Sequence, residues 1–192
     1  MNRKSVITFC VIFLWLSFIC LVSAAPNTKW IFAFDGGIDD EVYCVVETNN
    51  GGFTLAGITN SFDEDNYDFW LIKTDSNGVM EWNMTYGGEE NEYGGSFVVN
   101  NDEYWLACIQ QPTVGDGHFW LLQTDLAGNL QSNQTYAISA HHSSTSIIIA
   151  KNGDLALTYS SRDSGEHRDV LLMVLNNMNS SSILPIILGL IG

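Results

Sequence analysis

Short apolar and β-branched runs alternate with turn-forming residues along the chain from residue 42 onward. The first runs predict four strands, over 42–48, 53–59, 68–74 and 80–86. The residues Asn49-Asn50-Gly51-Gly52 favour a tight hairpin between the first two, because Asn and Gly tolerate a positive φ. The third strand carries Phe69-Trp70-Leu71-Ile72 without alternation, which is typical of a strand covered on both faces.

The pattern then repeats with a period of about 51 residues. The segment 50–57 returns at 101–108 and again at 152–159, each step being 51 positions. Such a period indicates one supersecondary unit stacked on copies of itself. The second and third units predict strands over 93–99, 104–110, 118–124, 130–136, 145–150, 155–160 and 169–175. Beyond the N-terminal apolar segment, no helix-length apolar periodicity is found.

Four antiparallel strands in each unit of about fifty residues predict an all-β fold made of β-propeller-type blades. The blades are expected at about 42–86, 93–136 and 145–175 within a repeat domain spanning 25–177. The third blade lacks a fourth strand. Residues 30–34 resemble the outer strand 82–86, so the N-terminal strand is predicted to complete the last blade.

Three blades are fewer than the four to eight that propellers typically have. Two explanations remain open at this stage. Two chains can combine into a six-bladed ring as a homodimer, or the sequence can be part of a longer chain.

Both termini suggest export. Arg3 and Lys4 precede an apolar segment over 6–22 and the small residues Val22-Ser23-Ala24, an order that predicts a signal peptide over 1–24. An uncleaved membrane anchor is the alternative. Residues 178–192 form a polar linker and an apolar tail, either a truncated membrane anchor or simply a short tail. The chain is therefore expected to be secreted or at the cell surface, and anchored there if the tail continues into a span.

Composition limits the partners. The 192-residue chain has 22 acidic and 7 basic residues, and the signal peptide carries away two of the basic ones. Because phosphate binding needs Lys and Arg, nucleic acid is excluded as a partner. Cys44 and Cys108, the two cysteines beyond the signal peptide, can form a disulfide outside the cell or remain separate thiols.

The phrases 75–88 and 50–57 resemble a repeat of secreted and cell-surface archaeal and bacterial proteins. That repeat has the form Trp-x-x-x-Tyr-Gly-Gly, a Gly-Gly hairpin, then Asp-x-Trp-Leu-Ile-Lys-Thr-Asp. The resemblance covers residues 30–177 and implies β-propellers that often end in a Ser/Thr-rich linker and a membrane anchor. It implies no particular activity. A more distant likeness to quinoprotein-type propellers rests on Gly78 and Trp82, and Trp82 is better explained as a blade-packing aromatic.

Two acidic clusters occupy the same repeat position, after Gly-Gly and before an innermost strand. They are expected to lie on one rim, where they can bind a cation or a basic partner or simply face solvent. Unit three has two histidines there, which can chelate together only from a loop. These candidate ligand-binding residues are Asp39, Asp40, Glu41, Glu89, Glu90, Glu92, His141 and His142.

The run 63–68 is the densest acidic segment. Its alternate oxygen ligands Asp63, Asp65 and Asp68 suit Ca²⁺, although the run lacks the central Gly and closing Glu of a calcium loop. Ca²⁺ is therefore the one cofactor considered, against a solvated loop; no other cofactor is expected. Asn83, Asn133 and Asn179 have the form of N-glycosylation acceptors.

No motif for nucleophilic catalysis, zinc hydrolysis or phosphate binding is found, so no catalytic residue is predicted. The sequence favours an exported non-enzymatic binding or surface-display module. Its ligand is unknown and can be a carbohydrate, a protein or a cation. The tyrosines Tyr67, Tyr93 and Tyr104 can stack on sugar rings or pack between blades. The alternative is an extracellular hydrolase or quinoprotein-like enzyme on a propeller scaffold.

Overall fold

The computed structural model describes residues 28–62, 66–112, 115–140, 145–162 and 168–176. The chain divides into two compact units, residues 1–31 and 32–192. Only residues 28–31 of the first unit are described, and they form no strand. In the second unit, no helix occurs among the described residues.

Eleven strands make up the described fold, and each strand predicted from residue 42 onward is confirmed. Three match their predicted bounds to the residue, because Gly52, Asp75 and Gly87 end the apolar patterns sharply. The strands are β1 Asp40–Glu47, β2 Phe53–Thr59, β3 Asp68–Thr74, β4 Met80–Tyr86, β5 Asn91–Asn100, β6 Glu103–Gln111, β7 Gly117–Asp125, β8 Leu130–Ala140, β9 Ser146–Ile149, β10 Leu155–Arg162 and β11 Arg168–Leu175.

Each strand pairs antiparallel with the next one within its unit, giving the orders β1-β2-β3-β4, β5-β6-β7-β8 and β9-β10-β11. A single residue pair, Ala140 with Ser161, connects β8 to β10. One pair does not make a ladder, so we describe three antiparallel sheets of four, four and three strands.

The first hairpins of the first and third units have the same geometry, whereas the second unit has a two-residue turn in which Asn101 and Asp102 both have a positive φ. Thr48 N donates to Gly52 O at 2.8 Å in the first unit, and Ala150 N donates to Asp154 O at 2.8 Å in the third. Gly51 and Gly153 supply the positive φ in these turns, at 79° and 87°. The second unit has Asp102 at the same repeat position, with a φ of 64°.

The first and second sheets pack face to face. Phe69 and Leu71 of β3 meet Leu106 of β6 and Leu122 of β7 in one cluster of buried side chains. Trp82 packs against this cluster and meets Tyr104 edge to face, with ring centroids 6.4 Å apart. Trp82 is therefore an aromatic that packs between two sheets.

The second and third sheets pack in the same way through the opposite face of β6 and β7. Trp105 and Phe119 lie against Leu155 and Tyr159 of the third sheet. The middle strands are thus buried on both faces, as the apolar runs without alternation predict.

The prediction of an N-terminal strand is not borne out. Residues 30–34 were expected to complete the third blade, but they have no strand structure, and β11 pairs only with β10 in the described chain. Pairing needs a complementary backbone edge as well as a similar sequence, and the likeness of 30–34 to 82–86 supplied only the sequence. The strands of the described residues do not close into a ring. Among the described residues there is also no helix long and apolar enough to cross a membrane.

Candidate functional site

The ends of the first two sheets where β1, β3 and β5 begin form one edge, which we call the acidic rim. Antiparallel pairing brings these starts together with the ends of β2 and β4. Both predicted acidic clusters lie on this rim. Its residues are Asp39, Asp40, Glu41, Tyr43, Tyr67, Asp68, Glu89, Glu90, Glu92 and Tyr93.

Backbone hydrogen bonds hold the two sheets together at the acidic rim. Glu92 N donates to the carbonyl oxygen of Tyr67 at 2.6 Å. Tyr67 N in turn donates to the Asn91 side-chain oxygen at 2.9 Å, and Asn66 Nδ2 donates to Gly88 O at 3.3 Å. The loop before β3 is therefore fixed against the start of β5.

Three tyrosines from three separate segments come together there, and we call them the tyrosine cluster: Tyr43, Tyr67 and Tyr93. The rings of Tyr67 and Tyr93 have centroids 6.2 Å apart at an interplanar angle of 36°. Tyr43 lies close enough to both that each contributes to raising its pKa. Tyr43 is 45% exposed, and the other two are half-buried. The cluster thus presents aromatic surface to solvent.

A carboxylate accepts a hydrogen bond from one of these hydroxyls and another lies near a second. Tyr43 Oη donates to Glu41 Oε2 at 2.5 Å, and the charge of Asp39 helps to raise the pKa of Tyr67. Burial raises the pKa of both tyrosines, and the neighbouring carboxylates raise it further. Both hydroxyls therefore stay protonated, and the hydrogen of Tyr43 is donated to Glu41.

Asp40 has a structural role instead. Gly36 N donates to Asp40 Oδ2 at 2.7 Å, and Ser61 Oγ donates to its Oδ1 at 3.2 Å. Burial raises the pKa of this carboxyl, but hydrogen bonds from Thr59, Gly36 and Ser61 outweigh that effect and lower it. Asp40 therefore holds the loop at 36–37 onto the sheet.

The side chains of the second acidic cluster differ in how deeply they are buried. Glu89 is exposed and Glu90 half-buried, whereas Glu92 has a relative exposure of 0%. Glu92 Oε1 accepts a hydrogen bond from Gln110 Nε2 at 3.2 Å. Glu92 Oε2 is buried and has no hydrogen-bond partner among the residues that the structure describes.

Asp68 and Glu92 form a carboxyl pair between the first and second sheets. A Cβ atom added to Gly87 would collide with Asp68 Oδ1 and come within 2.6 Å of Glu92 Oε2, so both oxygens lie against the same backbone position. Any larger residue there would require both carboxyl groups to move. Burial raises the Glu92 pKa to about 8. The hydrogen bond from Gln110 lowers this pKa, whereas the charges of Asp68 and Glu90 raise it.

A carboxyl group whose pKa lies near neutral can serve as a general acid or base. Access is the second requirement, because the acid must reach the substrate within hydrogen-bond distance. Glu92 has no exposed surface. The pair therefore carries no catalytic assignment.

Several predicted residues lie outside the described ones. They are Asp63, Asp65, His141, His142 and Asn179. Across the described ranges, no group of three or more His, Cys, Asp or Glu side chains is placed to hold a metal ion. The calcium hypothesis therefore stays a prediction for the loop around residue 63, and Asp68 is placed instead beside Glu92.

The two described glycosylation acceptors differ in their surroundings. Asn83 Oδ1 accepts the Trp70 indole hydrogen bond at 3.1 Å, and its Nδ2 faces Met80 Sδ at 3.6 Å. Asn133 lies one repeat later on the equivalent strand and is exposed. Of these two acceptors, Asn133 is the more exposed.

The sequence also left open the role of Tyr104 and the state of the two cysteines. Tyr104 packs between the sheets and shares a hydrogen bond of 3.0 Å with Thr54, so it is not a surface stacking residue. Cys44 and Cys108 are separate free thiols.

The sequence did not single out Tyr43 or the carboxyl pair. Tyr43 is one tyrosine in an ordinary alternating strand, and only the packing of β1 beside β5 brings it to Tyr93. Glu92 has Glu41 at its equivalent repeat position, 51 residues earlier, and Glu41 is exposed. Equal repeat position therefore did not indicate equal burial.

Comparison with known proteins supports the fold alone. No family model matches the chain, and no curated protein matches it. A crystal structure of a protein of unknown function from Dyadobacter fermentans DSM 18053 is similar, with a TM-score of 0.53 and 10% identity. The match covers 70% of this chain and 38% of that one, so this chain spans well under half of that protein's length.

Proposed function

We propose that this protein is an exported, non-enzymatic binding module with propeller-type blades, and that the tyrosine cluster is its ligand-binding surface. One observation carries the proposal. Tyr43, Tyr67 and Tyr93 come from three segments that are distant along the chain and meet at an exposed edge. Aromatic side chains grouped at a solvent-exposed site are typical of recognition surfaces.

The rim is also rigidly supported. The Glu92–Tyr67 and Tyr67–Asn91 hydrogen bonds fix the loop that carries one ring against the strand that carries another. A preformed surface of this kind loses little conformational entropy when a ligand binds.

Export rests on the signal peptide over 1–24, and the cell-surface location on the linker and tail over 178–192. Both are proposals from the sequence. Detection of the mature N-terminus in the culture medium or on intact cells would test them. A protein that retains residue 1 inside the cell contradicts export.

A homodimeric six-bladed ring is the proposed assembly. The outer face of the third sheet exposes Val170, Leu172 and Val174 of β11, with Val170 exposed by 84%. Their neighbours Leu171, Met173 and Leu175 pack inward. In the stack each sheet covers the face of the previous one, so a second copy's first sheet is the occupant that continues the pattern.

Light scattering of the full chain tests this assembly. A wild-type dimer that becomes a monomer in the double variant Val170→Asp, Leu172→Asp supports the ring, and a wild-type monomer overturns it.

Binding is tested with a glycan array, a set of charged peptides and small organic ions, comparing wild type with the double variant Tyr67→Leu, Tyr93→Leu. The matched control is Glu47→Gln, at the opposite end of β1. We expect at least one ligand whose binding the double variant loses and the control retains. Binding that the double variant leaves intact contradicts the proposed surface.

A further inference from the structure

We infer that the tyrosine cluster and its two carboxylates, Asp39 and Glu41, select a cationic group: a quaternary ammonium, or the Lys or Arg side chain of a protein partner. This inference rests on the proposed function and names the ligand chemistry of the same site.

The first step is the orientation of the tyrosines. Tyr43 donates its hydroxyl hydrogen to Glu41. Its polar tip is thereby directed to a carboxylate, and the rings of Tyr67 and Tyr93 lie with their centroids 6.2 Å apart. The face of an aromatic ring is its negative region and attracts a cation within about 6 Å of the ring centre.

The second step is the charge of the surroundings. Asp39 and Glu41 are exposed, as is Glu89 on the same rim. The sequence has no Lys or Arg between Lys29 and Lys73, nor between Lys73 and Lys151. Lys73 is itself buried near the hairpin end of the first sheet, where its Nζ pairs with Glu81 at 2.9 Å. No basic side chain of residues 32–72 therefore compensates the rim, and its field attracts cations.

The third step separates a cation from a sugar. A sugar presents hydroxyls that both donate and accept, so a site usually offers donors as well as acceptors. The hydroxyl of Tyr43 already donates to the rim carboxylate Glu41. What Asp39 and Glu41 add is negative charge, and a positively charged group gains most from it.

The experiment compares choline with 3,3-dimethylbutan-1-ol, which has the same shape without the charge. Calorimetric titration of the full-length secreted protein should detect choline and not the neutral analogue. A short Lys- and Arg-containing peptide, titrated alongside, distinguishes the two sources. Tighter binding of the peptide indicates a protein partner, and tighter binding of choline indicates a small ligand.

Variants assign the binding to the cluster. Tyr67→Leu should weaken choline binding about tenfold, whereas Tyr67→Phe, which keeps the ring, should stay within about threefold of wild type. Glu41→Gln should weaken it several-fold, and Glu47→Gln on the same strand should not. Thermal melts confirm that each variant is folded before titration.

The outcomes distinguish this inference from the proposed function. If a neutral sugar binds in a Tyr67-dependent way and choline does not, the cationic selectivity is overturned and the binding surface survives. If choline binds equally well to wild type and Tyr67→Leu, the assignment to the cluster is overturned. If the neutral analogue binds as tightly as choline, the role of charge is overturned.

Discussion

The Tyr86 hydroxyl of β4 donates a buried hydrogen bond of 2.7 Å to the carbonyl oxygen of Gly128, in the last hairpin of the second sheet. This bond ties the outer strand of one sheet to the turn of the next. Burial raises the Tyr86 pKa to about 12, although the Thr124 side chain opposes the shift. The contact thus joins the end of β4 in the first sheet to the β7–β8 hairpin of the second sheet.

Tyr86→Phe should therefore destabilise the fold by about 1–2 kcal/mol, because the Gly128 carbonyl loses its buried donor. The matched control is Tyr136→Phe, one repeat later, whose hydroxyl bonds Gln134 on its own strand at 2.7 Å. We expect a smaller loss there. Urea unfolding of both variants measures the difference, and equal losses would contradict a special role for the Tyr86 contact.

Glu92 should make the stability depend on pH. Its pKa in the folded protein is about 8, against 4.5 for an ordinary glutamate. Between these values the folded state binds a proton that the unfolded state has released, so stability falls as pH rises from about 4.5 to 8 and then levels off. The groups around it are Asp68 and Glu90, with the Gln110 amide and the Cys108 thiol across the ladder to β6.

Glu92→Gln removes this titration while keeping the side-chain shape. The variant should lose less stability than wild type between pH 5 and pH 9, with a difference of a few kcal/mol at the alkaline end. Exposed Glu47→Gln is the control and should follow wild type. Denaturant unfolding across the pH series gives the answer, and parallel curves for wild type and Glu92→Gln would refute the buried-acid interpretation.

The strands were predictable because the turn residues between them have backbone preferences that can be recognised in the sequence. Gly51 and Gly153 mark hairpins, and Asp75 with Gly78 marks the turn after β3, where Asp75 Oδ1 accepts from Val79 N at 2.9 Å. The candidate site was only partly predictable. Asp39 and Glu41 were identified by repeat position, but the burial of Glu92 and the meeting of Tyr43 with Tyr93 depend on how two sheets pack, and one unit's pattern contains no information about its neighbour.

The second unit's first hairpin offers a stabilising substitution. Asp102 has a φ of 64° at the position where the other units have glycine. An L-residue is disfavoured in this conformation by roughly 1–2 kcal/mol. Asp102→Gly should therefore raise stability by about 0.5–1 kcal/mol, after the greater flexibility of glycine in the unfolded chain is subtracted.

Asn101→Gly is the control, since asparagine tolerates a positive φ better and its own value is 47°. It should change stability less than Asp102→Gly. Thermal unfolding of the two variants decides it, and a destabilised Asp102→Gly protein would mean that the aspartate makes a compensating contact.

N-glycosylation in a glycosylating host should favour Asn133 over Asn83. The exposed Asn133 amide can be modified without loss of a contact, whereas Asn83 is half-buried and its amide oxygen accepts the Trp70 indole hydrogen. Glycopeptide mass spectrometry measures the occupancy of each. Higher occupancy at Asn83 would show that the outer strand is modified before the indole contact forms.

The two thiols should react at different rates in the native protein. Cys44 is half-buried, whereas Cys108 is buried among the side chains between the first and second sheets. Burial raises the pKa of the Cys108 thiol, and the nearby Glu92 charge raises it further, so its reactive thiolate is suppressed. Iodoacetamide labelling followed by peptide mapping should modify Cys44 first and Cys108 only with global unfolding. Equal labelling would mean that the sheets separate locally, and a Cys44–Cys108 disulfide peptide would mean that the interface rearranges in an oxidising environment.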